Sequence, residues 1–465
     1  MNNKIKNDFL SNIFMYLVIF VFSVISFIFL MKNSIFMSII AFAIVIYISL
    51  KNNIKYFPIL LFITSLILRI FMVLIFNFPQ VSDFKTLLDA SYLFANNDFS
   101  FQNQQYFTMW GYQTGFVIYQ GLLLKLFNSV FILKLLNAIF SSILCVLIYF
   151  FGKKICSEKS ARMASLLYMI FPFSLYLNTI LANHHLSTFL MYIGIFFLIK
   201  KEKSIKDYII AALLISLGNI IRPEGIIVVF TLILFEIFRL KKDEILKTLK
   251  NVGIFLIIYL MIGTLSSFAV EKLGINDEGL RNNNPKWKFV LGFNSDSCGY
   301  YTPLDEKYLN DENKELEVIK NRISVSPTKM GKLLTCKINK FWLQTEISSK
   351  NEMYNDKTYN IFGINIKFKD LENIVVKFNS VLYIITLLMC IVGVVFNRKK
   401  VIKDNSFFFV ILMMVTFFVY LLIEIQPRYA YFIHVSIFIL STYGYDYILS
   451  KISNIFKIRK KLKQE

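Results

Sequence analysis

Runs of about twenty apolar residues recur from one end of this 465-residue chain to the other, and nothing else in the sequence limits its folding so tightly. Each run is long enough to cross a hydrocarbon layer of roughly 30 Å, where every backbone amide must find its partner within the chain, so each has to be a helix. The expected fold is an all-α polytopic membrane protein with about 12 transmembrane helices, amphipathic helices in the first outer loop and a small outer-face domain. The first run, about 9–31, follows Lys4 and Lys6 and lacks a small-residue cleavage site, which makes it a retained helix rather than a removed signal.

Charge then sets the topology. The formal net charge of +21 by itself invites a nucleic-acid partner, but its placement does not. The basic clusters Lys153-Lys154-Lys159-Arg162, Lys200-Lys201-Lys203-Lys206, Arg239-Lys241-Lys242, Arg398-Lys399-Lys400 and the tail KIRKKLK fall in every second short loop. That is the positive-inside pattern of a plasma-membrane protein with both termini cytoplasmic, and it leaves no patch for nucleic acid. Helices are expected at about 34–50, 56–77, 131–151, 161–178 with a break at Phe171-Pro172, then one ending at Lys200, and at about 207–221, 223–240, 251–270, 375–396, 405–424 and 429–449. Segment 111–129 is apolar enough to span but carries Gln113, Gln120 and Lys125. A crossing there would put every later basic loop outside, so it belongs in the interface, where Tyr112, Phe116 and Tyr119 suit it. The chain divides into two N-terminal helices (1–55), a membrane core (56–270) holding the first outer loop (78–130), an outer loop domain (271–373) and three C-terminal helices with a basic tail (374–465). Cys298 and Cys336 share the outer domain and could pair in an oxidising compartment. No CxxC or metal-type spacing accompanies them, and unpaired thiols are the expectation.

Sorted by side, the polar residues at the outer rim are Asp83, Lys85, Asp89, His184, His185, Arg222, Glu224, Glu424, Gln426, Arg428 and Tyr429. They come from segments far apart in sequence that topology brings to one surface, as an active site requires. Arginines there suit a phosphate or diphosphate headgroup, and a carboxylate suits removal of a proton from an attacking hydroxyl. Arg69, inside an apolar helix about two turns from its outer end, joins them as an intramembrane charge.

Several stretches together resemble the GT-C superfamily of membrane glycosyltransferases, and within it the protein-O-mannosyltransferase and lipid A aminoarabinose-transferase group. They are VSDFKTLLDASY after the third helix, LKLLNAIFSSILCVLIYFFGKK with SARMASLLYMIFPFSLYLNT, IIRPEG, KFVLGFNSDSCGYYTPLD and QPRYAYFIHVSIFILSTYG. The resemblance implies a cell-envelope enzyme that moves a sugar, with inversion, from a polyprenyl-phosphate donor to a lipid, glycan or protein acceptor on the outer face. It implies Asp83 as general base, His184 as a second catalytic group, and Arg222, Arg428 and Arg69 on the lipid phosphate. Asp89, His185, Glu224 and Tyr429 are further candidates. The family usually carries a second acidic residue near Asn183-His184. Here Asn-His-His stands instead, so a divalent cation (Mg or Mn), held if at all by Asp83 and His184, is an open expectation. Three other readings stay open: a polysaccharide polymerase or ligase, a lipid-sugar transporter, and a structural partner subunit without catalysis. The richness in Ile, Lys, Asn and Phe fits a bacterial source.

Overall fold

The structure is a computed structural model describing residues 34–461 apart from 52–53, 77, 310, 344–357 and 362, so the helix expected at 9–31 lies outside the described residues. Each of the other expected helices is present. The membrane part runs through α1 (Ser34–Leu50), α2 (Phe57–Ile75), the first-loop helices α3 (Asp83–Ala95), α4 (Gln105–Met109) and α5 (Thr114–Phe127), then α6 (Val130–Ile155), α7 (Glu158–Met169), α8 (Pro172–Leu177), α9 (His184–Leu198), α10 (Ile205–Ile221), α11 (Gly225–Arg239) and α12 (Ile245–Lys272). After the small domain come α16 (Phe368–Phe396), α17 (Arg398–Lys403), α18 (Phe407–Leu422) and α19 (Tyr431–Lys461). Among the described residues, five helical stretches are long and apolar enough to cross a membrane: Phe57–Ile75, Val130–Ile155, Lys242–Lys272, Phe368–Phe396 and Pro427–Ser450. Met37–Leu50, His184–Leu198 and Phe407–Leu422 are shorter apolar helices.

The expected break at Phe171-Pro172 separates α7 from α8. Pro172 has no N–H to give, and Phe173 N donates to Asn379 Oδ1 of α16 at 2.9 Å, so the freed backbone is satisfied inside the bundle. Helix α19 is the central post: Tyr431, Ile433, Val435 and the run Ile437–Leu440 are fully buried, as a helix apolar on all sides must be. It meets α16 at backbone distance, since a Cβ on Gly393 would stand 2.3 Å from Gly444 N. Close approach through small residues is how helices gain dispersion contacts in lipid, where apolar burial alone brings little.

Segment 114–127 is a helix of 14 residues, shorter than a membrane span needs. Helix α5 lies against α3 and α10, burying Phe116, Val117, Gln120 and Leu124. Gly115 permits this, because a Cβ there would meet Ile220 O at 2.3 Å. The loops with basic clusters gather at one end of the bundle. Arg162 Nη1 donates to Lys51 O (2.7 Å), Lys400 Nζ to Ile155 O (2.7 Å), Asn405 Nδ2 to Ile199 O (2.7 Å) and Arg239 Nη2 to Lys403 O (2.9 Å).

At the other end sits the small domain, α13 (Trp287–Gly292), α14 (Glu312–Ile323) and α15 (Pro327–Ile338). Its core of Trp287, Val290 and Leu291 packs on Trp110 of the first loop, and the buried Asp305 is held by Arg322 at 2.6 Å. A short antiparallel hairpin, β1 (Thr358–Ile361) and β2 (Ile364–Lys367), departs from the helical pattern just before α16. Cys298 and Cys336 form a disulfide, with Cα atoms 5.8 Å apart, which corrects the expectation of unpaired thiols. Spacing could not reveal this. Lys337, next to Cys336, reaches Gly292 O at 3.0 Å, and that docking brings α15 onto the 292–299 loop.

Candidate functional site

The site grows from three turns at the small-domain end of the bundle. The α10–α11 turn is IIRPEG: Arg222 ends α10, and its Nε donates to Glu224 Oε1 at 2.6 Å. The α8–α9 turn presents Asn183 and His184. Asn183 Nδ2 donates to Ile221 O at 3.4 Å, and its Oδ1 accepts from Arg222 Nη1 at 3.3 Å, joining these two turns. The α18–α19 turn, IQPRYA, carries Arg428 and Tyr429 in a short 3₁₀ segment, Pro427–Ala430.

Asp83 arrives from a fourth direction, as the first residue of α3. Gln80 fixes the approach by accepting from Leu181 N at 2.7 Å, which ties the chain before α3 to the turn before His184. Ser82, immediately before Asp83, has φ 51°, a conformation a serine adopts at some cost. Arg428 Nη2 then donates to Asp83 Oδ2 at 2.8 Å. The α13 helix brings a fifth contribution, Lys288, paired with the buried Glu424. The backbones are locked as well, since Glu424 N donates to Lys288 O at 2.8 Å and Ile425 N to Gly299 O at 2.9 Å.

Tyr429 is the hub. The Arg222 guanidinium lies 4.7 Å from its ring centre, and the Arg428 guanidinium and Lys288 amine each lie 5.8 Å away. His184 stacks on the same ring at 6.3 Å and meets the edge of Tyr431 at 6.3 Å. Three cations, each with its own carboxylate, thus surround one phenol and one imidazole. His184 is 1% exposed and neither ring nitrogen has a hydrogen-bond partner among the described residues, a rare state for a buried polar group.

Electrostatics separates the three pairs. Burial alone would lower the Lys288 amine, but Glu424 outweighs it and holds the amine well above its ordinary range. Burial would raise the Glu424 carboxyl, but Lys288 and the Gln426 amide hold it below the usual carboxylate value. At Glu224 burial wins over Arg222 and the carboxyl is pushed up. Tyr106, in the first loop, is pushed well above the ordinary phenol value by burial and then by Asp83, and its hydroxyl accepts from Gln113 Nε2 at 3.1 Å.

The expected candidates therefore divide. Asp83, His184, Arg222, Glu224, Arg428 and Tyr429 come together. Asp89, further along α3, is exposed and does not join the group. Arg69 lies elsewhere: it is fully buried between helices, donating to Ser65 Oγ and to Ser174 Oγ (3.2 Å). Serines on two helices hold it in the core, away from the rim. His185 is a satisfied core residue as well, with Nε2 on Leu177 O (3.0 Å) and Nδ1 on Ser141 Oγ (2.8 Å) and Tyr431 Oη (2.9 Å). Sequence reasoning did not assign a role to Lys288 or Tyr106. The signal for Lys288 was its place at the head of KFVLGFNSDSCGYYTPLD, but its pairing with Glu424 crosses 136 positions. A divalent cation does not fit these residues. Among the described residues no group of three or more His, Cys, Asp or Glu could hold one, the Asp83 carboxylate is engaged by Arg428, and His184 stands beside two guanidiniums.

Residues 115–266 match the family model for dolichyl-phosphate-mannose-protein mannosyltransferase. No curated protein matches the chain significantly. Two similar solved structures are oligosaccharyltransferases of Archaeoglobus fulgidus. One, the archaeal oligosaccharyltransferase AglB in complex with an inhibitory peptide and a dolichol-phosphate, has 13% identity and TM-score 0.46 over 88% of this chain and 52% of its own. The other, tethered with an acceptor peptide, has 13% identity and TM-score 0.48 over 86% of this chain and 50% of its own. This chain spans about half the length of either. The matched region runs from the first-loop helix α5 to the long helix α12 and carries His184 and Arg222, so by sequence this part of the chain is similar to the protein mannosyltransferase family.

Proposed function

We propose that this protein transfers a sugar from a polyprenyl-phosphate carrier to a hydroxyl acceptor at the outer face of a membrane. The observation that carries the reading is the convergence on Tyr429 of Asp83, His184, Arg222, Lys288 and Arg428 from five separate segments. In this reading the acceptor oxygen attacks the anomeric carbon as the bond from that carbon to the phosphate oxygen breaks. The acceptor's proton passes to Asp83, and the electron pair leaves with the lipid phosphate, whose charge the Arg222 and Arg428 guanidiniums stabilise. His184 lies where its ring can hold the phosphate or the sugar. The apolar helices around the site suit the carrier's isoprenoid tail, which can reach the rim without leaving lipid. The acceptor is a lipid, a glycan or a protein.

The test incubates membranes containing the wild type or Asp83→Asn with radiolabelled polyprenyl-phosphate sugars. Transfer is expected from the wild type and a loss of roughly 10²-fold to 10⁴-fold in the variant, the usual worth of a general base. Undiminished product from the variant rules out Asp83 as the base.

A further inference from the structure

The reading above gives Asp83 and Arg428 separate tasks, yet in this structure they hold each other at 2.8 Å. While the pair holds, Arg428 occupies one of the two Asp83 carboxylate oxygens, Oδ2, and the guanidinium edge that holds it is not free for a phosphate. Resting on that reading, we infer that the donor's phosphate displaces Asp83 from Arg428 and so releases the whole carboxylate to the acceptor hydroxyl.

Comparison of the three ion pairs around Tyr429 shows why this one exchanges. Glu224 is 4% exposed and sits two residues from Arg222. Glu424 is 2% exposed, accepts also from Gln426 at 2.8 Å, and is tied to Lys288 through the backbone. Parting either pair would strand a buried carboxylate, which is costly. Asp83 and Arg428 have side chains 43% and 25% exposed, so water replaces what the pair loses. Asp83 is also the first residue of α3, where a released carboxylate still faces the unpaired N–H groups and positive dipole end of the helix. The strained Ser82 directly before it is a ready pivot. A phosphate brings greater charge and can engage a guanidinium through two parallel hydrogen bonds, which favours it over a singly bonded carboxylate. The consequence is order: a seated donor releases the carboxylate from its cation, so donor binding promotes activation of the acceptor.

The experiment measures binding to the purified full-length protein in detergent of a short-chain isoprenyl monophosphate and, in parallel, of inorganic phosphate. Wild type, Asp83→Asn, Arg428→Gln and the double variant are compared. Asp83→Asn is expected to bind roughly twofold to fivefold more tightly than wild type, the worth of one exposed ion pair. Arg428→Gln is expected to bind more weakly, and adding Asp83→Asn to it should bring no gain. The same ranking with inorganic phosphate assigns the effect to the phosphate itself, whereas a ranking seen with the isoprenyl probe alone ties it to the carrier lipid. Binding by Asp83→Asn that is unchanged or weaker overturns the exchange, as does a gain that persists without Arg428, which would be simple repulsion through space. Transfer retained by Asp83→Asn would remove the proposed base, and the binding ranking would still decide the exchange separately.

Discussion

Replacing Lys288 by Met should strand the Glu424 carboxylate, and the size of the loss can be worked from the geometry. The Glu424 side chain is 3% exposed and that of Lys288 30%. Removing one partner of a fully buried pair costs about 3–5 kcal/mol, because the remaining charge has neither water nor partner. Water already reaches the lysine end, and Gln426 still donates to Glu424 at 2.8 Å. The expected loss is therefore about 2–3 kcal/mol. Removing both charges in Lys288→Met with Glu424→Gln leaves nothing stranded, and the double variant should return to within about 1 kcal/mol of wild type. Unfolding in detergent can be followed by tryptophan emission, since the buried Trp287 adjoins Lys288 and reports on the same helix. The sign with pH follows from the same pair. Glu424 is held below its ordinary 4.5, so its contribution is present above that value and lost as pH falls through the lowered one. Lys288 is held above its ordinary 10.5, so its contribution is present below that value and lost only at higher alkalinity. The wild-type pair's contribution should be flat between those limits, whereas the single variant's penalty should shrink as pH falls, because burial without Lys288 lets the Glu424 carboxyl take up a proton. A double variant as unstable as the sum of its singles, or a Lys288→Met protein that unfolds with the wild type, refutes the reasoning.

Serine at both Cys298 and Cys336 removes a crosslink across 38 positions, worth about 4 kcal/mol by loop entropy; unfolding of the variant should match that of reductant-treated wild type, and a variant as stable as the oxidised protein refutes the brace. Leucine at Gly115 would press against Ile220 O, 2.3 Å from its Cβ, so α5 and α10 must part at a cost of about 1–3 kcal/mol, with transfer reduced because Ile220 lies two residues before Arg222. Thermal unfolding and the transfer assay read both effects. His184→Phe keeps the ring on Tyr429 and deletes two unpartnered nitrogens, so stability should hold or rise by about 1 kcal/mol while transfer falls; a destabilised variant with full transfer contradicts a functional imidazole.

Much of the architecture was legible before any coordinates. The Phe171-Pro172 break and the gathering of basic loops at one end both follow from one-dimensional rules about proline and charge parity. Assembly of the rim was legible only as a list. Arg69 and Arg222 are both arginines near helix ends, and sequence treats them alike. Ser65 and Ser174 draw the first into the core, whereas Glu224 and Asn183 fix the second at the rim. Adjacent His184 and His185 likewise have opposite environments, because successive residues on a helix point about 100° apart.

Hydrophobic run length and the side on which lysines fall are properties of consecutive residues, so the chain alone determined that it is a helical membrane protein and which turns share an end. Which acid meets which base is a property of distance across the fold. Asp83 with Arg428, Lys288 with Glu424, and Cys298 with Cys336 are separated by 345, 136 and 38 positions. Packing of α18 on the buried post of α19, and of α13 on α18, set where those groups stand, because Coulomb and hydrogen-bond energies act over a few ångströms of space and take no account of separation along the chain.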